Sequence, residues 1–200
     1  MRIAFLGDSL TEGAPGASYF RILRKRLAGD ELVNLGRAGD GVADLYARVQ
    51  HAGLEPVDLA FLWIGTNDAA VGEWTPWAFE TFEPVTWATT LDHLSDVYRR
   101  LLTWTAERAD AVVCVPPVAA DGLEGEWERR VADVAETVAA AVAAEPRAEL
   151  LDLAPWFADT RAQAGVISFT IDGVHLSQAG AEVVAAALAA AVEAHRSATT

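Results

Sequence analysis

Near the amino end of this 200-residue chain, Gly7-Asp8-Ser9-Leu10 offers a hydroxyl, and near the other end Asp172-Gly173-Val174-His175 offers an imidazole with a carboxylate three residues upstream. A serine hydroxyl is a weak nucleophile at neutral pH, so it works only beside a base that takes its proton and donors that hold the developing oxyanion. His175 is the candidate base. Asp172 is the candidate orienter, since a carboxylate beside the ring keeps one nitrogen protonated and stabilises the imidazolium. Gly39, in Asn34-Leu35-Gly36-Arg37-Ala38-Gly39-Asp40, lets the backbone approach a substrate oxygen closely, and Asn67, in Gly65-Thr66-Asn67-Asp68, carries a neutral amide donor. With the Ser9 N–H they could form a three-donor oxyanion hole. Each word taken alone is more often an ordinary turn or helix cap. Their order along the chain, after the first three strands and before the last helix, is what raises them above that.

Those strands and helices follow from the apolar pattern. Strand-like runs near Ile3 to Leu6, Leu32 to Leu35, Leu59 to Ile64, Ala111 to Val115 and Glu149 to Leu153 alternate with helical spacing over Tyr19 to Leu27, Val42 to His51, Leu91 to Ala106 and Trp127 to Ala144. A last helix starts after Ser177, a suitable N-cap, with Val183, Val184, Ala187, Leu188, Ala191 and Val192 as its inward stripe. Alternation of this kind predicts an α/β fold, a five-stranded parallel sheet covered on both faces by helices. Loops at the carboxyl ends of such strands converge on one crevice. The segment from Val71 to Thr90 breaks the alternation, grouping Trp74, Trp77, Phe79, Phe82 and Trp87 around Pro76 and Pro84. It reads equally as a lid or substrate wall and as an Ω-loop folded over the core.

Length and a 52% hydrophobic composition predict a single domain over residues 1–200. The formal charge of −14 argues against nucleic acid or an anionic membrane as partner. Met1 to Leu6 is too short for a signal-peptide core and no run reaches the ~20 apolar residues of a membrane span, so cytoplasmic residence is the expectation. Cys114, the one cysteine, lies in an apolar strand and reads as a buried core thiol. His51, His93 and His195 read as surface groups on helices or near the terminus. No cluster has metal-ligand spacing, and no metal or cofactor is expected.

The words together resemble those of the SGNH hydrolases, also called the GDSL lipase/esterase family. Phe5 to Gly13 is similar to the family's first block, Gly39 to its second, Gly65-Thr66-Asn67-Asp68 to its third and Asp172 to Leu176 to its fifth. The resemblance implies a three-layer, flavodoxin-like α/β/α fold, with Ser9 as nucleophile and oxyanion donor, Gly39 and Asn67 as further donors, His175 as base and Asp172 as its partner. It also implies that Leu10, Asp40 and Val174 flank the acyl or leaving group. Gly41 stands where many members carry a hydroxyl residue. The spacing is not Gly-x-Ser-x-Gly, which disfavours the nucleophile elbow of the α/β-hydrolases. The expected activity is hydrolysis of a short-chain carboxylic ester or thioester, a small molecule, through an acyl-serine. An acyltransferase would use the same intermediate with an alcohol in place of water. A flavodoxin-like binder could cradle a flavin phosphate on Ser9, Thr11 and Gly13, but gives no role to Asn67, Asp172 or His175. A catalytically silent relative would keep the words without the contact between Ser9 and His175.

Overall fold

A strand that is apolar on both faces needs cover on both, and Arg2–Gly7 (β1) is such a strand. Ile3 and Phe5 point to one side, Ala4 and Leu6 to the other, and all four are fully buried. The computed structural model describes residues 1–70, 90–122, 125–165 and 167–199. In it β1 lies between Glu31–Gly36 (β2) and Val57–Trp63 (β3), parallel to both. Ala109–Val115 (β4) and Ala148–Leu150 (β5) extend the sheet outward from β3. The order β2-β1-β3-β4-β5 is flavodoxin-like, and its direction of winding reverses between β1 and β3. In open α/β sheets such a reversal, at the carboxyl ends of the two strands, is where ligand crevices form.

The described helices are Ser9–Glu12 (α1), Tyr19–Arg26 (α2), Val42–Ala52 (α3), Thr66–Ala69 (α4), Leu91–Ala106 (α5), Gly125–Val142 (α6), Ala154–Ala164 (α7) and Gln178–Thr199 (α8). Leu45 and Val49 of α3, Tyr98 and Leu101 of α5 and Val138 of α6 cover the face of Ala4 and Leu6. Leu23 of α2, Phe157 of α7 and Val184 and Leu188 of α8 cover the face of Ile3 and Phe5. Each such large apolar side chain contributes about 1.5–3 kcal/mol by leaving water. Phe5 stacks on Phe61 of β3 at 5.0 Å between ring centroids, which ties the two central strands together on that face.

The periodicity places α5 from Leu91, and there Thr90 caps it, its Oγ1 accepting the His93 N–H at 3.2 Å. Ser177 likewise caps α8, accepting the Gly180 N–H at 3.2 Å. Two differences from the pattern have local causes. β5 stops at Leu150 instead of Leu153: Leu151 makes one more bond to the Cys114 carbonyl, at 2.9 Å, and then the Asp152 carboxylate takes the Ala154 N–H at 2.8 Å. That turn starts α7, which the apolar pattern does not announce because Phe157 is its one fully buried side chain. The aromatic segment from Val71 lies outside the described residues except for Thr90. Cys114 is buried, and burial pushes its thiol up to about 12. Among the described residues no helix is long and apolar enough to cross a membrane.

Candidate active site

β1 delivers Ser9. The strand ends at Gly7, and Asp8 caps α1 through its Oδ1, which accepts the Leu10 N–H at 2.9 Å. Ser9 is thus the first residue of a one-turn helix, where the backbone N–H has no acceptor within the helix. Two residues on, Thr11 accepts the buried Tyr19 hydroxyl at 3.0 Å, so α2 clamps the turn from below. Asp8 is fully buried, and burial, opposed by the Leu10 N–H and helped by the charges of Asp68 and Asp40, raises its carboxyl to about 7.

The other half of the site hangs on the segment before α8. Thr170 and Leu176 form an antiparallel bridge, Ile171 donates to the His175 carbonyl at 2.8 Å and Ser177 to that of Phe169 at 2.9 Å. Inside this turn, Asp172 Oδ1 accepts the backbone N–H groups of Val174 at 3.0 Å and His175 at 2.7 Å. Its Oδ2 lies 2.6 Å from His175 Nδ1, and His175 Nε2 lies 3.1 Å from Ser9 Oγ. Burial works to raise the Asp172 carboxyl, but the bonds from the His175 ring and the two N–H groups outweigh it and hold the carboxyl below its ordinary range. An ionised Asp172 keeps the proton on Nδ1 and leaves Nε2 to accept from the Ser9 hydroxyl. The serine and the histidine, 166 positions apart in sequence, are in hydrogen-bonding contact.

The two halves also touch through the backbone. Ala17 donates to the Leu176 carbonyl at 2.8 Å. Gly16 makes this approach possible, since its φ is +94° and a Cβ there would meet Leu176 O at 2.6 Å.

The remaining expected residues lie on the β2 and β3 loops. Gly39 has φ 83°, a left-handed turn that directs the chain from β2 into α3. Glu12 of α1 holds this loop by accepting the Ala38 N–H at 2.6 Å, and Asn34 of β2 donates to the Thr11 carbonyl at 2.8 Å. Asn67 Nδ2 donates to the Asp40 carbonyl at 2.8 Å, which fixes the plane of its amide and uses one of its two N–H bonds. α1, the β2 loop and the β3 loop are therefore bonded in series at one end of the sheet. Of the flanking positions, Leu10 packs into the core beneath Ser9, while the Asp40 carboxylate is buried against Arg48 at 2.6 Å. Val174 is half-buried on the turn between Asp172 and His175. Residue spacing gives no sign of Glu12, Asn34 or Asp121, which receives bonds from Phe169 and Thr170. Each reads in sequence as an ordinary polar residue.

Solved structures share the fold. The fold matches an α/β hydrolase, LAE5, from the Lake Arreo metagenome, with TM-score 0.75 at 22% identity over 95% of this chain and 94% of that one. A catalytic mutant of Axe2, an acetylxylan esterase of Geobacillus stearothermophilus, matches with TM-score 0.75 at 23% identity over 94% of this chain and 91% of that one. A member of the lipolytic G-D-S-L family from Veillonella parvula matches with TM-score 0.71 at 19% identity, over 94% and 95% of the two chains. None of the curated proteins compared with this chain matches it. The GDSL-like lipase/acylhydrolase family model, by contrast, runs over residues 5–183, from the strand that delivers Ser9, through the turn that carries His175, into the helix behind it. The chain belongs to that family and is a hydrolase of ester bonds.

Proposed function

We propose that the protein cleaves short-chain carboxylic esters or thioesters through a covalent acyl-serine on Ser9. The carrying observation is the line Ser9 Oγ, His175, Asp172, closed at 3.1 and 2.6 Å. As Ser9 Oγ attacks the ester carbonyl, its proton passes to His175 Nε2, and the imidazolium is stabilised by Asp172. The Ser9 and Gly39 N–H groups and the second N–H of Asn67 take the oxyanion. His175 then protonates the departing alcohol. Water, activated by the same ring, attacks the acyl-serine and releases the acid. No cofactor enters the scheme.

Short acyl groups suit an open crevice at the carboxyl ends of β1 and β3, and the acetylxylan esterase named among the structural neighbours points the same way. Val174, beside the base, offers the acyl or leaving group an apolar flank. Asp40 acts through its carbonyl, which orients Asn67, and Leu10 supports Ser9 from beneath.

The test is hydrolysis of a p-nitrophenyl ester series by wild type and Ser9→Ala. Turnover should fall with chain length and vanish in the variant; a variant as fast as wild type would remove Ser9 from the chemistry. An added alcohol that diverts product from acid to new ester would reveal acyl transfer.

A further inference from the structure

Asp121, at the end of the loop that leaves β4, is bonded to the segment carrying the base, although it touches neither Ser9 nor His175. Its Oδ1 accepts the Phe169 N–H at 2.8 Å, and its Oδ2 accepts the Thr170 N–H at 2.7 Å and the Thr170 hydroxyl at 2.6 Å. Ser168 Oγ lies 2.8 Å from Oδ2, and Arg161 of α7 reaches Oδ1 at 3.3 Å while its guanidinium sits over the Phe169 ring. The Thr170 hydroxyl, having donated to Asp121, accepts the Gly173 N–H at 3.2 Å, inside the turn between Asp172 and His175. A direct path of bonds therefore joins the loop after β4 to the turn that carries His175.

We propose that Asp121 is a positioning residue that sets the distance from His175 to Ser9, a role that presupposes Ser9 as nucleophile and His175 as base. The turn needs such an anchor because it is a loop with little apolar cover: Ile171, Asp172 and Gly173 are exposed. A carboxylate suits the place because every group facing it is a donor. An amide would put N–H against the N–H of Phe169 or Thr170. Burial pushes the Asp121 carboxyl up, but the bonds from Phe169, Thr170 and Ser168 outweigh it and bring it down to about 2, so the anchor is ionised near neutral pH.

The experiment is a double-mutant cycle on p-nitrophenyl acetate with Asp121→Asn and His175→Ala, with melting temperatures alongside. A displacement of the base by about 1 Å costs up to about 100-fold, so Asp121→Asn should lower kcat about 10- to 100-fold with KM within about 3-fold. In the His175→Ala background the same substitution should change the residual rate less than about 3-fold, because there is no base left to misplace. Equal losses in both backgrounds, or an unchanged kcat, would overturn the role. Should Asp121→Asn fail to fold, Thr170→Val cuts the path at the hydroxyl that donates to Asp121 and accepts the Gly173 N–H; a kcat lowered about 3-fold or more only where His175 is present supports the role, and an unchanged kcat overturns it. Activity surviving in Ser9→Ala would instead strike at the nucleophile assignment, whatever the cycle shows.

Discussion

The two halves of the site are held by different forces. Ser9 stands on β1, whose residues Ile3 to Leu6 are fully buried, with Leu10 and the Tyr19–Thr11 bond packed directly around it. His175 and Asp172 stand on a turn whose flanks, Phe169 and Leu176, are buried but whose tip, Ile171 to Gly173, is exposed and is kept in shape by the Thr170–Leu176 bridge, the N–H groups that Asp172 accepts and the carboxylate of Asp121. Packing thus holds the proposed nucleophile on every side, and hydrogen bonds at an exposed tip complete the hold on the proposed base. Damage to the first should register in stability, because buried contacts are part of the global fold. Damage to the exposed tip of the second should register in rate with little change in stability, since that tip contributes few buried contacts.

Ser9→Ala sets the scale for that contrast. It removes the proposed nucleophile but leaves strand, cap and core in place, so kcat should fall about 10⁴-fold or more while the melting temperature stays within about 2 °C. Asp172→Asn comes next. It keeps the shape of the turn but presents an amide to His175 Nδ1, which favours the wrong tautomer, and kcat should fall about 10²- to 10⁴-fold. A loss below about 3-fold would mean that the turn orients the ring without its carboxylate. Asn67→Ala should cost about 10²- to 10³-fold in kcat, the value of one oxyanion donor, with KM for p-nitrophenyl acetate little changed. All three are read by steady-state kinetics beside thermal melts.

Gly16→Ala probes the seam between the halves. A Cβ at 2.6 Å from the Leu176 carbonyl oxygen, on a backbone with φ +94°, must push the catalytic turn away from α1 or strain the loop. A drop of about 10-fold in kcat is expected, with a smaller loss of stability. A variant that melts early yet turns over normally would show the turn to be independent of this contact.

The same division explains what the amino-acid sequence discloses. Ser9 and the Asp172–His175 pair can be read from it because each is a short word whose chemistry depends on residue type, and Asn67 and Gly39 because loops after parallel strands meet at one end of a sheet. The central strands and α5 follow from apolar spacing alone. α7 does not, because Phe157 is its one fully buried residue, and β5 is shortened by a cap at Asp152 that looks like any loop aspartate. Asp121 bonds to residues 48 and 49 positions away, and no local spacing marks a partnership of that range. Asp40 shows the same limit: its place beside the site is readable, but that its carboxylate turns to Arg48 and its carbonyl to Asn67 depends on the fold.

Asp8 gives the smallest effect and the sharpest separation of the halves. An aspartate in an unfolded chain titrates near ~3.9, whereas burial, with the charges of Asp68 and Asp40 adding to it, lifts Asp8 to about 7 in the fold. Between these values the folded chain holds more protons than the unfolded one, so the stability linked to Asp8 is complete below the lower value and is lost as pH rises through the upper. Wild type should therefore melt lower at pH 8 than at pH 5 by on the order of 5 °C. Asp8→Asn keeps an oxygen for the Leu10 N–H and cannot ionise, and its melting curve should be flatter over that span; equal slopes in both proteins would show that Asp8 does not titrate there. Asp121 and Asp172, held low by their donors, have the opposite sign: their stabilisation is present above the unfolded value and is lost only as pH falls into the acid range. Near neutrality Asp121 and Asp172 should be indifferent to pH, and of these three carboxylates only Asp8, beside Ser9, should give a slope.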